Sequence, residues 1–170
     1  EGLGAAAVAV RLPEQLDDLD GLIIPGGEST AIAKLMRTYA FYDVIRARHA
    51  EGMAVWGTCA GAILMATEIT DARPDQEPLA LMDATVRRNA YGRQVDSFEA
   101  DLSMAHLDAP FPGVFIRAPL IERVGERAEV LARHGDQIVA VREGDLLATT
   151  FHPELTGDPR VHRFFLERVI

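Results

Sequence analysis

The chemistry this chain could perform is concentrated in Gly57-Thr58-Cys59-Ala60-Gly61. A short apolar run, Met53-Ala54-Val55-Trp56, precedes it, and a helical pattern from Ala62 to Ala66 follows. Strand, sharp turn and helix, with G-x-C-x-G at the turn, is the cysteine form of a nucleophile elbow. The flanking glycines permit a tight turn that a Cβ would resist. Such a turn lifts the Cys59 sulfur clear of a sheet and sets it at a helix N-terminus. There the dipole and the free N–H groups favour the thiolate, the reactive form. A buried cysteine in a glycine-rich turn would read the same way, so the rest of the chain has to decide.

A thiol nucleophile needs a base within hydrogen-bond reach, and the base needs an orienting acceptor. Leu147-Ala148-Thr149-Thr150-Phe151-His152-Pro153-Glu154 offers both, as a strand that ends in His-Pro-Glu. His152 would be the base, and Glu154 would hold its tautomer as the acid of a triad does. Pro153 confines His152 to an extended conformation. Taken alone, the triplet also fits a surface loop. His49, His106, His134 and His162 lie in polar contexts and read as surface residues, with no pair spaced for a metal site.

Acyl transfer to sulfur also needs two N–H donors aimed at the developing oxyanion. Ala60, just after the nucleophile, can supply one. Gly27 can supply the other, in Pro25-Gly26-Gly27-Glu28-Ser29-Thr30, because it has no side chain to keep substrate away. A plain strand-to-helix turn is the competing explanation.

The elements that must position these groups follow from the apolar pattern. Ala5 to Val10 reads as a strand, Arg11 to Asp20 as a loop or short helix, and Leu22-Ile23-Ile24 as a parallel strand covered on both faces. Ser29 or Thr30 would cap the next helix, with Ile32, Leu35, Met36 and Tyr39 on its buried face. The pattern falters near Ala40-Phe41 and resumes to His49, which suggests two helices. Strand–helix–strand–helix implies a parallel sheet with helices on its faces, and ligands in such sheets bind beyond the strand C-termini. Asp71 to Pro78 is a polar connection. Leu81–Asn89, Gln94–Leu102, Val114–Arg117, Glu129–Ala132, Ile138–Arg142 and Leu146–Phe151 then read as closely spaced strands, an antiparallel extension. Pro159 starts a last helix whose Val161, Phe164 and Phe165 pack on the core.

Bulk properties narrow the class. The 170 residues suit one domain, and 48% hydrophobic content predicts a packed globule. A net charge of -9 argues against nucleic acid as a partner, and no apolar run approaches a membrane span. A single cysteine excludes an internal disulfide and a cysteine-rich zinc site, and fits an intracellular, cytoplasmic protein. The chain opens Glu1-Gly2-Leu3-Gly4 with no signal peptide and no methionine, and Leu3-Gly4 reads as the end of a helix. The expectation is a single domain that is incomplete at its N-terminus.

Pro-Gly-Gly-Glu-Ser, Gly-Thr-Cys-Ala-Gly and Phe-His-Pro-Glu, in this order, resemble the class I (triad) glutamine amidotransferases. Val86-Arg87-Arg88-Asn89, the run Tyr91 to Glu99, Val114 to Pro119 and Phe151 to Thr156 bring the resemblance closer to the PdxT family. These are the glutaminase subunits of pyridoxal 5'-phosphate synthase. The resemblance implies a flavodoxin-like α/β fold, with a central mostly parallel sheet, helices on both faces and an antiparallel extension. It implies Cys59 as nucleophile, His152 and Glu154 as its triad partners, and Gly27, Glu28, Ser29, Arg88, Ile116 and Arg117 around L-glutamine. It further implies ammonia delivery to a PdxS synthase, with glutaminases around a dodecameric core, and little activity for the glutaminase in isolation. No metal or organic cofactor is required by these roles. Two other readings stand beside it. One is a glutaminase feeding another synthase, such as that for imidazole glycerol phosphate. The other is a non-catalytic reactive-cysteine protein on the same scaffold.

Overall fold

Three apolar strands that lie far apart in the chain end side by side in space. The computed structural model describes residues 2–88 and 97–170. Along the chain these form β1 (Gly21–Ile24), α1 (Ser29–Thr38), α2 (Phe41–Ala50), β2 (Ala54–Thr58), α3 (Ala60–Met65), β3 (Ala66–Thr70) and β4 (Met82–Arg87). There follow β5 (Ser97–Leu102), β6 (Phe111–Ile116), β7 (Leu120–Val124), β8 (Glu129–His134), β9 (Gln137–Glu143), β10 (Leu146–Thr149) and α4 (Arg160–Phe164). The main sheet runs β1-β2-β10-β9-β7-β4-β3, with β8 paired to β9, and β5–β6 form a separate hairpin. β1, β2 and β10 are parallel to one another. The pairings of β9 with β10, β7 and β8 are antiparallel, as is β4 with β7. This is the α/β sheet with an antiparallel extension that the sequence implied. No described helix is long and apolar enough to cross a membrane.

β2 is the axis of the core, and all five of its residues are buried. Alternation along the strand sends Val55 to one face and Ala54 and Trp56 to the other. Val55 joins Ile24, Met36, Ile45, Leu64 and Met65 under α1, α2 and α3. Trp56 joins Phe111, Phe115, Leu147, Phe151, Val161, Phe164 and Phe165 on the opposite side. The C-terminal apolar stripe therefore packs as expected.

Several expectations are corrected. Ala5 to Val10 forms no strand, because no described strand lies alongside to complete its hydrogen bonds. Ile23 is 44% exposed, so β1 is covered on one face only. It is an edge strand among the described residues, with β2 as its one neighbour. The cap of α1 is Glu28 and not Ser29 or Thr30: its carboxylate accepts the N–H groups of Thr30 (3.2 Å) and Ala31 (2.7 Å). A carboxylate at this position satisfies two orphan donors and opposes the positive end of the helix dipole. The buried face of α1 is Ser29, Ala33 and Met36, whereas Leu35 and Tyr39 are about half exposed. The two helices do separate at Ala40, which takes a left-handed conformation with φ 58°. The strands β3 and β7 were not anticipated. α3 (six residues) matches the helical pattern read from Ala62, but the chain passes straight from it into β3 at Ala66. Gln94, Val95 and Asp96 of the expected second strand lie outside the described residues, as do Asn89 and the run from Tyr91 up to Asp96.

Both elbow glycines are demanded by close backbone approach. A Cβ on Gly57 would lie 2.4 Å from the Gly61 carbonyl carbon, and one on Gly61 would lie 2.0 Å from the Ile24 carbonyl oxygen. Neither neighbour is a flexible side chain, so neither can yield without moving a strand or the helix. Gly61→Ala is therefore expected to destabilise by at least the upper end of the ~1–3 kcal/mol of ordinary overpacking. Urea unfolding checks this, and an unchanged midpoint would contradict the packing described.

Candidate active site

The C-terminal ends of β1, β2 and β10 carry, in order, Gly26-Gly27, Cys59 and His152. Because the three strands are adjacent and parallel, these groups meet at one edge of the sheet. Cys59 sits at φ 49° and ψ −102°, a strained conformation for a residue with a side chain. The surroundings enforce it. Its N–H donates to Thr149 O on β10 (2.8 Å), and its carbonyl accepts from Ile63 N (3.2 Å) as α3 begins.

His152 is 9% exposed, and its N–H donates to Val114 O of β6 at 2.8 Å. Its Nδ1 lies 2.7 Å from Glu154 Oε1. This leaves Nε2 as the ring nitrogen free to face a substrate or thiol. The imidazole and the cysteine share a space kept open by Gly26. A Cβ on Gly26 would stand 2.4 Å from His152 Cε1, 3.1 Å from its Nδ1 and 3.4 Å from Cys59 Cβ. Sequence reasoning gave the space-making role to Gly27 and missed Gly26. At Gly27 the constraint is conformational: φ is 146°, and an added Cβ would touch only Ile32 Cδ1, at 3.5 Å.

The thiol is 7% exposed. Burial pushes its pKa up to about 11, with the negative charge of Glu154 adding to the rise. The Ala60 N–H hydrogen bond and the charge of Arg117 oppose this but are outweighed. The expectation that the helix terminus favours the thiolate is corrected here. The Ala60 amide does act in that direction, but desolvation of a charged sulfur is the larger effect. The resting group is the neutral thiol. Its sulfur also lies 3.9 Å from Ile116 O, so the end of β6 closes over the thiol. Arg117, at φ 45°, follows as the chain turns away.

A second cluster adjoins through the chain at Glu28. Arg88 Nη2 donates to Glu28 Oε1 (3.2 Å) and reaches Thr30 Oγ1 (3.5 Å), and the Arg88 side chain is 11% exposed. The Thr30 hydroxyl donates to the same carboxylate and is the main cause of the lowered Glu28 pKa. Arg87 instead pairs with Glu122 on β7, so of the two arginines Arg88 is the one beside Glu28. Ser29 is buried at the first turn of α1. Every site residue read from the sequence thus lies in or next to this edge. Thr30 and the Val114 carbonyl join them; no local sequence signal marks either. His162, expected on the surface, packs edge-on against Trp56 at 5.0 Å between ring centroids, and burial lowers its pKa.

Residues 1–170, the whole chain, match the SNO glutamine amidotransferase family. The chain belongs to that family. A protein of Nocardioides sp. named "Pyridoxal 5'-phosphate synthase subunit PdxT" is 56% identical over 99% of this chain and 86% of its own length. One of the same name from Herpetosiphon aurantiacus is 59% identical over 98% of this chain and 89% of its own. A crystal structure described as a glutamine amidotransferase superposes with a TM-score of 0.91 at 56% identity, covering 98% of this chain and 87% of the other. The structure of PurLQS from Thermotoga maritima shares the fold, with a TM-score of 0.56 at 15% identity over 90% of this chain and 79% of the other.

The buried thiol of this family member gives a pH prediction. Alkylation of Cys59 by iodoacetamide in the free chain should rise with pH until about 11, since only the thiolate reacts. Folding favours the neutral thiol, so the unfolded chain binds fewer protons between the ordinary 9.0 and the raised value of about 11. Stability should fall as pH rises through that window. A plateau in alkylation rate near neutral pH would contradict this account of the thiol.

Proposed function

We propose that this chain hydrolyses L-glutamine to L-glutamate and ammonia through a thioester on Cys59. The ammonia passes to a PdxS-type synthase for pyridoxal 5'-phosphate formation. The observation that carries the reading is the meeting of Cys59 with the His152–Glu154 pair around Gly26. A sensor cysteine has little use for a base held by an acid.

The Cys59 sulfur attacks the side-chain carboxamide carbon as its proton passes to His152. The oxyanion that forms on the carboxamide oxygen is met by backbone N–H groups, with Ala60 and Gly27 the donors assigned. His152 returns the proton to the leaving nitrogen, the C–N bond breaks, and ammonia departs. A γ-glutamyl thioester remains. Water, deprotonated by His152, adds to the thioester carbon. Collapse of that intermediate releases glutamate and restores the thiol. Glu154 orients the imidazole and stabilises its cation. Glu28, Ser29, Arg88, Ile116 and Arg117 line the approach, and Arg88 and Arg117 offer positive charge to the substrate carboxylate.

The neutral thiol fits a glutaminase that is quiet until its partner docks. At a pKa of about 11 the thiolate fraction at pH 7 is about one part in 10⁴. The names of the relatives at 53–59% identity favour a synthase of pyridoxal 5'-phosphate over other amidotransferase partners. Glutamine hydrolysis with and without a PdxS-type synthase tests the proposal. A glutamine-analogue electrophile should label Cys59, and glutamine should protect it. Absence of hydrolysis and of protection, with the synthase present, would overturn it.

A further inference from the structure

The segment that carries His152 and Glu154 leaves the sheet at the end of β10 and is not itself part of a strand or long helix. Glu154 has a side chain 44% exposed, so burial does little to hold it. Its position depends on the backbone from Phe151 to Arg160. That backbone is tied down through a series of short polar contacts. Thr156 Oγ1 donates to Pro153 O (2.9 Å) and accepts from Asp158 N (3.2 Å). Asp158 in turn receives the Arg160 N–H at 3.0 Å and grips the guanidinium at Nε (3.0 and 2.9 Å) and Nη2 (2.5 Å).

Arg160 then reaches across to a different part of the fold. Its Nη1 donates to Ala109 O (2.7 Å) and its Nη2 to Pro110 O (2.8 Å), and its guanidinium lies over the Phe111 ring at 5.9 Å. Ala109 and Pro110 lead directly into β6. The same strand accepts the His152 N–H at Val114 and ends at Ile116, whose carbonyl faces the Cys59 sulfur. The His-Pro-Glu segment and β6 are therefore joined twice: at the catalytic end through His152 and Val114, and at the far end through Arg160. Side chains of both Asp158 and Arg160 are mostly covered, at 20% and 29% exposure, so the pair is partly shielded from water, and Nε, Nη1 and Nη2 of the planar fork are all engaged.

We propose that Arg160, held by Asp158, is a positioning residue that sets the His152–Glu154 pair against Cys59 by clamping its segment to the start of β6. This rests on the glutaminase reading above. Loss of the clamp frees one end of the segment, and a displacement of about 1 Å at a reacting group costs up to about 100-fold in rate. Lysine at this position keeps the charge and three donors but gathers them on one nitrogen, without the planar fork that spans Asp158 and the two carbonyls.

The experiment measures glutamine hydrolysis by wild type, Arg160→Gln, Arg160→Lys and Asp158→Asn, each with a PdxS-type synthase. Rates are expressed per active site titrated with a glutamine-analogue electrophile, well below the thermal midpoint, so that loss of folded protein drops out. Arg160→Gln and Asp158→Asn are expected to lower kcat about 10- to 100-fold with KM changed less than about 3-fold, and Arg160→Lys to recover part of the loss. The acidic limb of the kcat/KM pH profile should also move in the glutamine variant, because the His152–Glu154 contact is altered. If the variants that fold turn over within about 2-fold of wild type per titrated site, the residue is only structural and the proposal is overturned. An inactive wild type would instead count against the glutaminase reading, so the two failures are told apart.

Discussion

Cys59→Ala is expected to reduce glutamate release in the presence of the synthase by at least about four orders of magnitude. Without the sulfur no thioester can form, and the oxyanion donors alone cannot supply a nucleophile. The substitution removes one atom from a site that already holds a Cβ at φ 49°, so the strained turn is retained. The donors that fix it, Cys59 N to Thr149 O and Ile63 N to Cys59 O, are backbone groups that alanine keeps. The variant should therefore stay folded and still bind glutamine, which isothermal titration against the complex would measure. Retained hydrolysis near the wild-type rate would remove Cys59 from the mechanism.

The second large effect belongs to His152→Asn. Turnover should fall by about three to four orders of magnitude, with the fold preserved. The reason lies in the thiol. With a pKa of about 11, Cys59 has almost no standing thiolate at neutral pH, so attack requires simultaneous removal of its proton. Asparagine can still occupy the space beside Gly26 and can donate to Glu154, but it cannot take up a proton. The same change should slow alkylation of Cys59 by the glutamine analogue in the complex at pH 7, and the rate should then climb with pH as bulk hydroxide replaces the base. An unaltered turnover rate would refute the role of His152. Comparison with Glu154→Gln separates base from orienter: the glutamine variant retains the imidazole and should lose less.

The legible part of this protein was local. Gly57 and Gly61 around a cysteine mark an elbow because a turn of that tightness excludes side chains. The backbone of Gly61 against Gly57, and that of Ile24 against Gly61, leave no room for a Cβ at either position. His-Pro-Glu after an apolar strand marked a candidate base and acid, and the two side chains are in contact at 2.7 Å. The short apolar runs at Val55 and Leu147 were enough to suggest a sheet, since continuous burial leaves no polar face to alternate with; the run at Leu22 belongs to the same sheet although one of its faces is open. What failed was also physical. β3 went unread because Thr67-Glu68-Ile69-Thr70 offers a single apolar residue once the helical pattern ends. The buried stripe of α1 was misread because the choice between Ala33 and Leu35 depends on which face the sheet covers.

The sequence by itself marked the family and the candidate reacting groups, because the proposed nucleophile, base and acid are residue types placed by short-range turns. Only the tertiary structure decided their state and their spacing. It brings β1, β2 and β10 together, makes Gly26 the point of closest approach, selects Arg88 over Arg87 beside Glu28, and buries the thiol deeply enough to keep it protonated. Each of these depends on atoms contributed by segments remote in the chain. Desolvation and steric clearance are properties of the assembled surroundings, so no residue's own neighbours in sequence could report them.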